Sequence, residues 1–292
     1  MKTKEFLFKY VSFLAASLSI LFLLGIILSI FKEGIPLFKE INVFDFIFGR
    51  RWHPTDEPPD FGILSLIIGS ISVTIGALIV GVPLGVGSAI YVSEIASSNA
   101  KEILKPFIEI LAGIPSVIYG LFGMNILAPI VRKIFNIPIG LNIFSTSIIL
   151  GIMIIPFVSS LSEDALRSVS KDVREASYAL GANRIETIFK VIVPAALPGI
   201  IASIILGFGR AIGETMVVLM VSGGTATIPS SIFSPVRPMT SAIASEMGET
   251  VKGSLHFQAL YGIAIVLLII TLLSNLLMQW FVSREKNEKK IY

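Results

Sequence analysis

Arg210 and Glu214 stand four residues apart in GFGRAIGETMVVLM, Gly207 to Met220, a run whose other members are apolar residues, Gly and one Thr. That spacing puts both side chains on one face of a helix. An Arg at the centre of a bilayer costs roughly 2.5–3.5 kcal/mol on the insertion scale, so such a residue faces a bundle interior or a water-filled path. A guanidinium matches the oxygens of an oxyanion two at a time. The pair therefore reads as an anion gate, with a purely structural Arg210–Glu214 ion pair as the alternative. Gly207, Gly209 and Gly213 thin the helix beside the charges and allow a neighbour or a ligand close to the backbone.

A second stretch, KPFIEILAGIPSVIYGLFG from Lys105 to Gly123, carries its chemistry in the backbone. Pro106 suits a first helical turn, and Glu109 is within reach of Lys105 at the predicted cytoplasmic end. Gly113 and Pro115 are expected to kink or break the span, freeing backbone polar groups. Broken spans serve transporters as hinges or as linings of binding sites. The hinge is the preferred role here.

The third stretch is EASYALGANRIETIFKVIVP, Glu175 to Pro194, a polar helix-forming segment between two apolar runs. Ser170 is placed to cap a helix with Asp172 in its first turn. Gly181 is placed to stop that helix in the left-handed conformation. Asn183 with Glu186 has the spacing of a capping box opening a second helix, and Pro194 marks the expected start of the next span. Two short helices meeting at a glycine make a compact knob able to transmit a push between subunits. The alternative is an ordinary interfacial connector.

These residues need a membrane around them. Of the 292 residues 54% are hydrophobic and 15% charged, with mean hydropathy +0.85, whereas soluble domains carry about 25% charge. Six spans of about 20 apolar residues are predicted near 10–31, 64–92, 107–131, 143–161, 195–221 and 257–282, giving an all-α, polytopic fold with six transmembrane helices. The first run follows Lys2, Lys4 and Lys9 but exceeds the core of a signal peptide and reads as a span. With the N-terminus inside, 14 of the 23 Lys and Arg lie on the inner side and 8 on the outer. That asymmetry puts both termini and the Glu175 loop in the cytoplasm of a cell membrane. Residues 1–63 then hold the first helix and an outer loop, 64–285 the main transmembrane unit, and 286–292 a cytoplasmic tail.

The outer segment 32–63, with RRWHPTDEPPDFG, is expected to be irregular, with Trp52 at the membrane interface. The outer segment 222–256 is broken by Gly and Pro, with a short helix from about Thr240 to Glu249 presenting Ile243 and Met247 on one face. The chain has no Cys, and His53 and His256 are far apart in sequence, so no metal site is expected and no cofactor is implied. The net charge of +3 calls for no nucleic acid; lipid is the expected surrounding. No G-x-x-x-x-G-K-[ST] occurs. Gly81, Gly85 and Gly87 lie inside an apolar run and read as helix-packing positions. The chain is thus not expected to be an enzyme, and any ATP hydrolysis belongs to another subunit.

The Glu175–Pro194 segment resembles the EAA loop of ABC importer permeases: Glu175, Ala176, Gly181 and Pro194 match, while Ser177, Val191 and Val193 depart mildly. AGIPSVIYGLFG, RAIGETMVV, PVRPMTSAIASEMGE and WHP…FG resemble the PstC family of phosphate permeases over essentially the whole chain, with GIPS and RAIGET shared with the sister PstA family. The resemblance implies a MetI-like type I ABC importer fold and transport of inorganic phosphate by alternating access. It implies as partners a PstA-type permease, a PstB-type ATPase dimer and a PstS-type phosphate-binding protein docking near 222–256. It assigns Arg210 and Glu214 to the pathway and Glu175, Ala176 and Gly181 to ATPase coupling. A phosphate P–OH can donate to Glu214, and sulfate has none, which would favour phosphate. The rival readings are a PstA-like subunit, a permease for another oxyanion, and an ion-coupled secondary transporter, which needs no docking loop.

Overall fold

Where lipid tails surround a helix, its backbone groups must be satisfied internally, and the chain is built accordingly. The computed structural model describes residues 2–288. Helix α1 (Lys2–Gly34) leads through a 3₁₀ turn (Ile35–Lys39) to α2 (Val43–Phe48). A two-stranded antiparallel hairpin follows, β1 (Trp52–His53) and β2 (Asp60–Phe61), with Trp52 opposite Phe61. Helix α3 (Leu64–Ile90) ends in a π turn, Tyr91–Ile95. Then come α4 (Ser98–Gly113), α5 (Ser116–Phe122), a π turn (Gly123–Leu127) and α6 (Ala128–Ile134). Helix α7 (Ile143–Arg167) precedes α8 (Lys171–Ala179) and α9 (Arg184–Thr187). A π turn (Ile188–Ile192) joins α9 to α10 (Val193–Ile212), and α11 (Met216–Val221), α12 (Met239–Glu246) and α13 (Leu255–Glu288) complete the chain. The last four positions of the expected tail, 289–292, lie outside the described residues.

Among the described residues six helices are long and apolar enough to cross a membrane: Phe8–Lys39, Leu64–Ile95, Ser116–Ile134, Ile143–Arg167, Arg184–Ile212 and Leu255–Leu277. Two differ from the sequence reading. The third begins at Ser116 rather than near 107, because the chain breaks at Ile114–Pro115 and α4 is a separate helix with no buried residue. The fifth ends at Ile212 rather than near 221, and it starts at Arg184, because Pro194 does not bound it. The π turn that ends at Ile192 leads straight into α10, whose first turn holds Pro194; an extra residue per turn admits the ring without a break.

The spans pack by close backbone approach, as expected where lipid tails compete equally for apolar side chains. Helices α3 and α7 run against each other along glycines. A Cβ on Gly81 would lie 2.7 Å from the Gly151 carbonyl oxygen, and one on Gly151 would lie 2.8 Å from Val80 Cβ. Gly85 sits as tightly against Val158, but Gly87 faces open space, so the expected packing role holds for two of the three glycines. Helix α10 adds to this pair through Gly207 on Val158 and a buried Ser162–Ser203 hydroxyl bond of 2.7 Å.

The segments expected on the outer side, 32–63 and 222–256, pack together as an ordered lid instead of irregular loops. Leu37, Phe46, Trp52, Phe61 and Ile63 bury against Met239 and Ala242 of α12 and Ala259, Leu260 and Ile263 of α13. Trp52 is 2% exposed, within the lid and not at a lipid interface. Its Nε1–H donates to Glu246 (3.0 Å to Oε2), which also pairs with Arg237 (2.6 Å) and His256 (2.8 Å). The short helix in 222–256 is present as α12, with Ile243 and Met247 partly buried on the lid. Apolar content in 32–63 large enough to build a core outweighed its turn residues.

Gly81→Leu should force the α3–α7 seam apart and destabilise the protein by about 1–3 kcal/mol, the usual cost of overpacking. Gly87→Ala should have little effect. Thermal unfolding in detergent micelles distinguishes the two; equal behaviour would show that the seam is not tightly packed.

Candidate functional site

The helix break expected at Gly113 and Pro115 lies beside a second break, at Gly213–Thr215, that the sequence reading did not anticipate. At the first, Gly113 closes α4, Ile114 is extended, and Pro115 precedes the first residue of α5. The hydroxyl of Tyr119 in α5 donates to the Leu111 carbonyl (2.9 Å), bridging the break and adding to the weak 3.3 Å bond that this oxygen accepts from the Ile114 amide at the end of α4. At the second, α10 stops at Gly213 and α11 resumes at Met216. Helices α5 and α11 meet at Gly120, where a Cβ would sit 2.7 Å from Met220 Sδ. Two half-helices from distant parts of the sequence thus share one junction.

The break separates the charged pair. Arg210 lies in the last turn of α10 and Glu214 lies beyond its end, so the i,i+4 geometry of a continuous helix does not apply. Among the described residues Arg210 and Glu214 form no salt bridge, which corrects the ion-pair alternative. Arg210 is exposed, with its guanidinium carbon 3.9 Å from the centre of the Phe157 ring of α7, a cation–π contact. Glu214 is half-buried, and its Oε1 accepts the amides of Met216 (3.1 Å) and Val217 (3.3 Å), capping α11. Its backbone carbonyl accepts the Thr240 hydroxyl of α12 (2.7 Å), tying the junction to the outer lid. Both side-chain hydrogen bonds use Oε1. Gly113 and Gly209 have open space where a Cβ would be, so the backbone is accessible on this side. An exposed Arg on a spanning helix, beside an aromatic face and bare backbone, is suited to holding an anion in a water-filled path.

At the far end of the long fifth helix the Glu175 stretch forms the expected two-helix knob. Gly181 has φ +85°, the left-handed conformation that ends α8. Asn183 and Glu186 make both hydrogen bonds of a capping box. Ser170 precedes α8 but makes no side-chain cap bond, contrary to expectation. The Ser177 and Thr187 hydroxyls are 2.9 Å apart and buried, fixing α8 to α9. Glu175 and Ala176 are exposed, as are Tyr178, Leu180 (89%), Ile185 and Phe189. Four exposed large apolar side chains on so short a segment are suited to contact with another protein.

Sequence reasoning missed Phe157, one aromatic among the 20 Phe, and Tyr119. It missed Glu94, which pairs with Arg174 of α8 at 2.5 Å across 80 positions; the only local signal is an acid at the end of an apolar run. Lys105 pairs with Glu163 of α7 (3.8 Å), not with Glu109. Among the described residues no group of three or more His, Asp or Glu side chains is placed to hold a metal.

Glu214→Gln should retain the acceptor oxygen that caps α11 and change stability little. Glu214→Ala should cost about 1–2 kcal/mol through two unmade hydrogen bonds. Thermal unfolding of both variants tests the capping role; a Gln variant as unstable as the Ala variant would point instead to an ionic role for the carboxylate.

Residues 81–287 match the family described as binding-protein-dependent transport system inner membrane component. The chain is 39% identical to the probable ABC transporter permease protein YqgH of Bacillus subtilis, over 94% of this chain and 87% of that one. It is 32% identical to the phosphate transport system permease protein PstC of Haemophilus influenzae, over 98% of this chain and 95% of the other. Among solved structures it is similar to a bacterial alginate ABC transporter in complex with an alginate pentasaccharide-bound periplasmic protein. That likeness has TM-score 0.62 at 16% identity and covers 92% of this chain and 95% of that one. Inward-facing MetNI methionine ABC transporter gives TM-score 0.57 at 20% identity, over 76% and 94% of the two chains. These likenesses establish the fold.

Proposed function

The chain belongs to the binding-protein-dependent transport system inner membrane components, and we propose that it is one permease subunit of an ATP-driven importer of inorganic phosphate. The observation that carries the reading is the near full-length similarity to the phosphate permease PstC of Haemophilus influenzae. The chemistry of the junction supports it. Arg210 supplies a fixed positive charge on an exposed face of α10, where a second permease of PstA type completes the path. Glu214 caps α11 through Oε1, leaving Oε2 to accept the P–OH of phosphate; sulfate near neutral pH has no proton to offer.

The remaining parts follow the same reading. The α8–α9 knob, with Glu175, Ala176 and the Gly181 turn, faces the cytoplasm and docks on a PstB-type ATPase dimer, which supplies the hydrolysis that this chain, lacking a P-loop, does not. Gly113 and Pro115 form the hinge between α4 and α5. Both termini are cytoplasmic, and the outer lid receives a PstS-type phosphate-binding protein. ATP binding closes the ATPase dimer and shifts the knob, the junction opens outward, and hydrolysis resets it. Differential contacts in the two states drive the cycle.

Radiolabelled phosphate uptake into proteoliposomes holding this chain with its three partner types is the test. Wild type should show ATP-dependent uptake that excess sulfate does not inhibit. Arg210→Ala should lower uptake at least tenfold, Glu175→Ala should abolish ATP-driven uptake, and Glu214→Gln should let sulfate compete. Full uptake in Arg210→Ala would make that side chain structural. Uptake indifferent to ATP would overturn the reading in favour of a gradient-driven carrier.

A further inference from the structure

Two arginines, one on each arm of the knob, plug the cytoplasmic ends of two transmembrane helices. Arg174 of α8 donates from Nη2 to the Leu166 carbonyl (2.8 Å) and from Nε to the Val169 carbonyl (3.3 Å), at and just beyond the C-terminus of α7. Arg184 of α9 donates to the Glu94 and Ile95 carbonyls, where the π turn ends α3. The last carbonyls of a helix have no intrahelical partners and carry the negative end of its dipole, so both positions suit a guanidinium. Glu94 joins the two plugs. Its side chain is 7% exposed; Oε2 pairs with Arg174 Nη1 and Oε1 accepts the Ser93 hydroxyl (2.8 Å). The π turn places this carboxylate, and Lys101 of α4 holds the turn through the Ser93 carbonyl (2.8 Å).

We propose that Glu94 is a positioning residue for coupling: through Arg174 it fixes the angle of α8 against the α3–α7 pair, so that a displacement of the knob moves the transmembrane helices instead of rotating α8. This rests on the reading of the knob as the ATPase contact. Covalently α8 is held only by the three-residue link Ser168–Ser170 before it and by the Gly181 turn after it. The Ser177–Thr187 bond fixes it to α9 alone. Arg174 is the contact that holds the N-terminal half of α8 to both α7 and α3. A Gln at position 94 keeps the shape and the Ser93 contact but removes the charge that orients the guanidinium fork.

The chain contains no Cys, so spin labels at Leu84→Cys in α3 and Lys171→Cys in α8 need no prior substitution. Both sites are exposed. In the full complex in nanodiscs, the inter-label distance distribution should be narrow with or without ATP. Glu94→Gln should widen it at least twofold and lower phosphate moved per ATP hydrolysed at least fivefold, with the ATPase rate within twofold of wild type. Glu94→Gln combined with Arg174→Met should be no worse than Arg174→Met alone. An unchanged distribution and coupling ratio in Glu94→Gln would overturn the proposal, as would multiplicative losses in the double variant. Widened distances in a complex whose wild type moves no phosphate would uphold the brace while sinking the phosphate reading.

Discussion

Hydrocarbon offers no partner to a backbone amide or a charge, and every irregularity in this chain is placed to respect that. The breaks at Gly113–Pro115 and Gly213–Thr215 lie where α5 and α11 pack together. The groups they free are met by Tyr119, Glu214 and Thr240. Arg210, in the last turn of α10, stands at that junction. The position of the junction is thus set by where broken backbone is tolerable.

Around this junction the rest of the molecule divides into rigid pieces. Helices α3 and α7 are held through glycines, with no room for a methyl group at Gly81 or Gly151. On the outer side Glu246 gathers Trp52, Arg237 and His256 from segments far apart in sequence. Thr240, on the same short helix, reaches Glu214. The lid and the junction are therefore connected through α12, while the first spanning helix contributes no buried residue in its most apolar window and approaches Tyr261 and Ile265 of α13 closely at Gly34.

Local rules read well wherever local geometry decides. The left-handed Gly181, the Asn183–Glu186 capping box and the break at Gly113 and Pro115 each depend on residues within four positions, and each is present. The errors have the same physical origin seen from the other side. Placing Arg210 and Glu214 on one helical face assumed that the helix continues, but Gly213 ends it and a carboxylate two residues before Met216 is better used as a cap. Pro194 looked like a boundary because the sequence does not announce a π turn. Trp52 found a carboxylate 194 positions away, and Arg174 an acid 80 away; no spacing rule reaches that far. The six spans were legible because bilayer thickness fixes their length, whereas their partners were not.

The helix from Arg184 to Ile212 runs without interruption across its π turn. At 1.5 Å per residue its 29 residues make a beam of about 43 Å. One end is planted in the knob, where Asn183 starts it and Arg184 grips α3; the other carries Arg210. Pivoted at its middle, such a beam tilted by about 5° carries each tip roughly 2 Å, in opposite senses, by the rise per residue alone. That is comparable to the difference between a guanidinium in contact with an oxyanion and one out of contact. A movement too small to repack any helix at the knob end is therefore large enough to make or release a single charge contact at the other.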